Sequence, residues 1–153
     1  PNDLRKLIST RFTDVPLPAV ELNWDDYFFL LFLNKIEPEL KNYPALILYE
    51  YPAPLAALST LKSSDKRVCE RFEIYLDGVE IANAFNELTE TQEQKARFKQ
   101  QAHEKKQAYQ YNLPEPTEFY QTLERGLPKC SGIALGVERL LAALIKTPNP
   151  FFD

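Results

Sequence analysis

Glu73 and Glu80 flank the dipeptide Asp77-Gly78 within the stretch RFEIYLDGVEIAN, 71–83. Asp-Gly favours a two-residue type I′ hairpin turn. With that turn, Leu76 pairs with Val79, Tyr75 with Glu80, Ile74 with Ile81, Glu73 with Ala82 and Phe72 with Asn83. Side-chain alternation then puts Phe72, Ile74, Leu76, Val79 and Ile81 on one face, the expected core face, and Glu73, Tyr75, Glu80 and Ala82 on the other. On the acidic face Glu73 and Glu80 are diagonal neighbours about 7–8 Å apart at the backbone, within joint reach of one cation. Magnesium suits such a pair, because it takes one or two carboxylates together with waters and phosphate oxygens. Spacing alone favours the plainer reading, in which both are solvent-facing residues of a half-exposed sheet.

Two further groups could carry chemistry. Asn83, Asn86 and Glu87 offer amides and a carboxylate that could hold an ammonium, and equally describe ordinary loop chemistry after a strand. Strict alternation puts Glu87 on the side of Phe85 and away from Glu80, so a bend or bulge is needed to bring both into one pocket. Later, CSGIALGVER, 130–139, has Gly132 and Gly136 four apart and opens a final helix with Arg139 in its first turn. A cation there runs against the helix dipole, and phosphate is the natural partner of a guanidinium. The alternative is that the glycines ease helix–strand packing and Arg139 is a surface residue. The pattern is neither a dinucleotide-binding fingerprint nor a phosphate-binding P-loop.

These groups need elements to position them. Asn23 is placed to cap a buried helix from Leu22 to Leu40, with Asp25 and Asp26 in its first turn and Pro38 stopping or kinking it. ALILYEY, 45–51, reads as a strand buried on at least one face and ended by Pro52 and Pro54. An irregular connection follows from Ala53 to Asp65. Thr89 with Gln92 makes a capping-box pattern before a solvated helix reaching about Gln110, whose thin apolar stripe is Ala96, Phe98, Ala102 and Tyr109. The sole histidine, His103, lies on that polar helix and reads as a surface residue. A loop around Pro114 and Pro116 leads to a short helix from Thr117 to Arg125 with Gly126 as its C′ residue. The last helix, about Gly136 to Lys146, carries Val137, Leu140, Leu141, Leu144 and Ile145 at core-facing spacing.

The composition narrows the class. With 153 residues, 44% hydrophobic and 12% aromatic, the chain suits one globular domain. Its 18 Lys and Arg against 22 Asp and Glu leave a formal charge of −4, so the overall field does not favour a polyanion. Cys69 and Cys130 are too few and too far apart for a disulfide framework or a metal motif, and read as reduced thiols of a cytoplasmic protein. No apolar run reaches the roughly 18 residues of a membrane helix. The lack of methionine and the start at Pro1 imply a piece of a longer chain.

Together, RFEIYLDGVEIANAFNEL (71–88) and SGIALGVERL (131–140) resemble the end of the catalytic domain of class II lysyl-tRNA synthetases and of their paralogues, which ligate a lysine-type residue to translation elongation factor P. The second block resembles class II motif 3, and the likeness extends from about Ala45 to Leu144. It implies an α+β fold, an antiparallel sheet flanked by helices, with 1–153 forming the carboxy-terminal part of the catalytic domain. It further implies that ATP and Mg2+ are used, with Glu73 and Glu80 at the metal, and Glu80, Ile81, Gly136 and Arg139 at ATP. Arg139, the motif 3 arginine, is the implied catalytic residue. Asn83, Phe85, Glu87 and Ala134 form the implied pocket for lysine or β-lysine, with Glu87 pairing the substrate's ammonium.

RVCERFEIYLDGVEIANAF, PAPLAALS and CSGIALGVERL look closer to the elongation factor ligases than to the synthetases. Ala134 belongs to that distinction, since the synthetases usually have glycine there, and a methyl would reshape the pocket. Ala84 departs from both relatives, which commonly have glycine there, in a loop expected to touch the amino acid. Elongation factor P is then the implied acceptor, with lysine tRNA under the synthetase alternative and a non-catalytic binding module as a third class. Nothing in the chain matches motif 1 or the motif 2 arginine, so the chain by itself is expected to be inactive. The relatives dimerise largely through motif 1, and a homodimer is expected of the full-length protein.

Overall fold

The computed structural model describes residues 2–147, without the side chains of Ala108 and Tyr109, so the apolar-stripe position Tyr109 lies outside the described residues. Four antiparallel strands form one sheet in sequence order: β1 (Ala45–Tyr49), β2 (Arg71–Leu76), β3 (Val79–Asn86) and β4 (Ser131–Leu135). Helices α1 (Asn2–Arg11), α2 (Trp24–Leu31) and α3 (Glu37–Leu40) precede the sheet; α4 (Thr91–Tyr109) and α5 (Thr117–Gly126) lie between β3 and β4, and α6 (Val137–Ile145) follows β4. This is the α+β arrangement expected. Among the described residues, no helix is long and apolar enough to cross a membrane.

Asn23 caps α2 as its sequence position indicates: its Oδ1 accepts from the Asp26 N–H at 2.7 Å. Replacing Asn23 with alanine is expected to lower stability by about 1 kcal/mol, measured by urea unfolding, with an unchanged m-value. Beyond Leu31 the helix widens into a π segment, Phe32–Ile36, and then regains one α turn as α3. Pro38 sits in the first turn of α3. It cannot donate to the carbonyl of Asn34, and the widened segment carries the chain past that missing bond without ending the helix.

These helices cover one half of one sheet face. Phe32 and Leu40 pack with Tyr75, and Phe28, Leu46 and Leu48 join them. A second cluster joins Tyr51, Leu55, Ala56 and Cys69 to Trp24, Phe28, Leu48 and Leu61. A third seats α1, which lies ahead of the first element expected from the sequence, on α2 through Ile8, Val15 and Tyr27. Cys69 is buried and both cysteines are free.

The hairpin turns where Asp-Gly predicts, with Asp77 and Gly78 both at positive φ. A Cβ on Gly78 would come within 2.9 Å of the Lys41 backbone, so the tip needs glycine for space as well as for conformation. The register past the turn corrects the one expected. Leu76 pairs with Val79 and Tyr75 with Glu80, but Ile74 then pairs with Ala82, Glu73 with Asn83, Phe72 with Ala84 and Arg71 with Phe85. Ile81 is an extra residue, a β-bulge that slips the rest of β3 by one.

The polarity of the faces is also the reverse of the expectation. The side of Glu73 and Tyr75 is the buried one, because α2 and α3 pack on it. On the opposite side Ile47, Tyr49, Val79, Ile133 and Leu135 are exposed, and only the small residues Ala82 and Ala84 of β3 are buried between them. Three helix expectations change as well. No side chain caps α4, which starts at Thr91 after an extended Glu90, so the Thr89–Gln92 box does not form. Gln94 on α4 is buried, and Arg97 donates to the carbonyls of Ala57 and Ser59, so that helix is tied down and not simply solvated. On α6, Leu140 and Leu141 are half-buried, whereas Val137, Leu144 and Ile145 are exposed.

Candidate functional site

The bulge at Ile81 brings the site together. Paired residues of antiparallel strands share a face, so Tyr75 with Glu80, Glu73 with Asn83, and Arg71 with Phe85 all lie on one side. Without the slip, Glu80 and Asn83 would face opposite ways. Continuing the alternation past Phe85 carries Glu87 to that side too. β4 adds Ala134 opposite Asn83 and Gly132 opposite Phe85. With α2 and α3 covering the β1–β2 half of the face, the β3–β4 half is left open.

Glu87 has an unusual seat. A Cβ on Gly132 would fall well inside contact distance of Glu87 Oε1 and 3.3 Å from its Cδ. The carboxylate occupies the space that any other residue at 132 would fill. Its backbone is fixed on both sides, with Glu87 N–H donating to the Cys130 carbonyl at 3.0 Å and Leu88 N–H to the Leu58 carbonyl at 2.7 Å. Burial alone pushes the Glu87 carboxyl above its ordinary range. Among the described residues no cation or donor pairs with it. It is an unpaired, half-buried anion.

Glu80 and Arg139 meet at the other end. Arg139 Nη1 donates to the Glu80 carbonyl at 3.0 Å and lies 3.9 Å from Glu80 Oε2, a loose ion pair that leaves most of the guanidinium open. Burial and the neighbouring Glu73 charge raise the Glu80 carboxyl, while Arg139 works against that shift. Ile81 is buried, and its carbonyl accepts from the Gly136 N–H at 2.9 Å, which anchors the start of α6 beside the bulge. A Cβ on Gly136 would meet Arg139 only at ordinary contact distances, so packing within the described chain does not require glycine there.

Glu73 is the least open of the carboxylates. Oε1 accepts from Arg71 at 2.5 Å, and Oε2 accepts from the hydroxyls of Tyr75 (2.5 Å) and Tyr51. Both phenols are pushed well above their ordinary range, chiefly by burial and then by this carboxylate. Three of roughly four acceptor positions are taken, and Glu80 remains the open carboxylate.

Several parts of this arrangement escape a reading by strand period. Strand β4 carries too little alternation to be marked as a strand by its sequence. Neither period nor spacing singles out Arg71, Tyr51 or Tyr75 as site residues, although Arg71 heads the 71–88 block. Ala84 lies inside β3 at 4% exposure, and its partner Phe72 places it on the face away from Asn83 and Phe85. Its methyl therefore does not line the pocket, contrary to the expectation for that position. A cavity of about 590 Å³ is lined by Tyr49, Phe72, Ala84 and Ile133 and also by the site residues Arg71, Phe85 and Gly132; another, of about 520 Å³, is lined by residues of α2, α4 and the 53–61 connection, away from the site.

The chain matches the family described as tRNA synthetases class II (D, K and N) over residues 26–149. It is 44% identical over 124 residues to elongation factor P–(R)-β-lysine ligase of Proteus mirabilis, covering 79% of this chain and 37% of that protein. The ligase of the same name from Erwinia tasmaniensis is 42% identical over 123 residues, 80% of this chain and 38% of the relative. That from Hamiltonella defensa is 39% identical over 132 residues, 84% and 40% respectively. The chain thus spans about two fifths of the length of the curated relatives it matches. With the family pattern running from α2 through α6 and across the whole sheet, the chain belongs to the class II tRNA synthetases of the D, K and N group.

Proposed function

We propose that the protein containing this chain is a ligase that activates lysine or β-lysine as its adenylate with ATP and passes the acyl group to a lysine of translation elongation factor P. In this reading 1–153 is the carboxy-terminal part of the catalytic domain of a cytoplasmic homodimer. The observation that carries the proposal is the unpaired Glu87 carboxylate over Gly132, on one face with Asn83 and Phe85. A half-buried anion with no partner among the described residues is suited to the ammonium of a lysine-type side chain. The names of the relatives supply the elongation factor and the β-amino acid.

The donor set fits a nucleotide and its metal. Among the described residues no three His, Cys, Asp or Glu are grouped to hold an ion. Magnesium does not need three, because phosphate oxygens and waters complete its shell. Glu80 would face the metal, and the Glu73 charge close behind it adds to the field that attracts a cation. When bound, the ion neutralises charge on the phosphates. Arg139 presents its open guanidinium to the same phosphates.

In the reaction, a carboxylate oxygen of the amino acid attacks the α-phosphorus in line, a new P–O bond forms and pyrophosphate leaves. Glu87 holds the ammonium, Asn83 and Phe85 orient the substrate, and Ala134 closes the pocket opposite Asn83. Positioning and positive charge do most of this work, which is consistent with a site that holds no histidine. The test is ATP–pyrophosphate exchange by the complete protein. Exchange is expected with lysine-type amino acids, β-lysine included, and not with leucine. Exchange indifferent to the ammonium sinks the Glu87 assignment, and acyl transfer to lysine tRNA in place of elongation factor P reverses the acceptor.

A further inference from the structure

We infer that Arg71 is a positioning residue that sets the orientation of Asn83 and Phe85, so that the Asn83 amide offers its NH2 group, and not its carbonyl, to the amino acid. The inference deepens the proposed function and rests on it for the identity of the substrate.

Arg71 is largely buried, with 14% of its side chain exposed. All three of its guanidinium nitrogens are committed. Nη2 donates to Glu73 Oε1 at 2.5 Å, Nε to Asn83 Oδ1 at 3.1 Å and Nη1 to the Leu55 carbonyl at 3.2 Å. The guanidinium carbon also stands 4.6 Å from the centre of the Tyr51 ring and 5.6 Å from that of Phe85, both within cation–π range. One side chain therefore touches two of the residues assigned to the amino-acid pocket while being anchored by the buried Glu73.

The consequence for Asn83 is chemical as well as steric. A guanidinium is donor-only, so the amide must turn its oxygen toward Arg71. The NH2 end is left pointing away from Arg71 as a donor. Such a donor suits the carboxylate of an amino acid or an oxygen of its adenylate, and would not suit an ammonium. The ammonium is then left to Glu87, two positions beyond Phe85. The pair gives the pocket a fixed polarity, with a donor at Asn83 and an acceptor at Glu87. Arg71 sets the first half of it without reaching the substrate. Lysine cannot replace it, because an ammonium lacks the planar fork that reaches three acceptors and lies over a ring.

Arg71→Lys in the complete protein keeps the charge beside Glu73 and tests the idea. Exchange kinetics are expected to show the KM for the amino acid raised about tenfold or more, with the KM for ATP within about twofold of wild type. Tyr75→Phe, which also removes a hydrogen bond to Glu73, serves as the comparison and should lower the melting temperature without that KM split. Equal rises in both KM values for Arg71→Lys, or the same split in Tyr75→Phe, overturn the inference. A crystal structure of the Arg71→Lys protein reads the positioning without any substrate. Asn83 and Phe85 should leave their wild-type rotamers, and retention of both overturns the inference even if exchange is altered. If the wild-type protein shows no exchange with any lysine-type acid, the proposed function fails, and those rotamers still decide the role of Arg71.

Discussion

Replacing Glu87 with glutamine in the complete protein is expected to cut kcat/KM for the lysine-type substrate by roughly 10²–10³ while leaving the fold as stable as before or more so. The loss follows from the pairing: removing one partner of a desolvated charge pair costs roughly 2–5 kcal/mol. The stability gain follows from the unliganded site. Burial raises the Glu87 carboxyl above its ordinary value of 4.5. The folded chain therefore holds that proton more tightly than the unfolded one. The stability this adds is present at acid pH and is lost as pH rises through the folded-state pKa. Glutamine has the same shape and no charge to desolvate, so its advantage lies above that pH and vanishes below it. At neutral pH a rise of roughly 1–3 °C in melting temperature is expected, and none near pH 4. Scanning calorimetry at the two pH values measures it. A melting temperature lowered at neutral pH means that the carboxylate has a partner within the protein, and the ammonium assignment fails with it.

The hairpin turn and the α2 cap were legible because each depends on a few adjacent residues, whereas the α+β class was implied by the resemblance to the class II synthetases. Asp77-Gly78 fixes a turn through the positive φ it tolerates, and Asn23 fixes a helix start through one hydrogen bond. The register past the turn was not legible. A period-2 reading has no means of placing an inserted residue, and Ile81 is as apolar as any strand residue. That single slip decides which carboxylates and amides share a face, so the site depended on the feature hardest to read. The reversal of the faces has a similar origin. Alternation sorts polar from apolar but does not say which side the helices choose. Here α2 and α3 lie over Tyr75, Leu46 and Leu48, and Glu73 is accommodated beneath them by two tyrosines and an arginine. A buried carboxylate with three donors reads in sequence as a surface glutamate.

Gly132→Ala separates the placement of Glu87 from its charge. No positive φ marks Gly132, so alanine can adopt its backbone, and a strand loses less conformational entropy with alanine than with glycine. What alanine cannot share is the space, since its Cβ would collide with the Glu87 carboxylate. The collision falls on the free end of a flexible side chain, so the carboxylate swings aside and the fold survives. A displacement on the order of 1 Å in a substrate-positioning group can cost about 10²-fold in rate, and a loss of that order in kcat/KM for the amino acid is expected, with melting temperature held or raised. The double variant makes the case sharper. Once Glu87 is glutamine there is no ammonium pair left to misplace, so Gly132→Ala should then cost little more. The coupling between the two substitutions should approach the whole effect of Gly132→Ala alone. Additive losses would mean that Gly132 acts on the substrate directly, and that the carboxylate over it is there by packing alone.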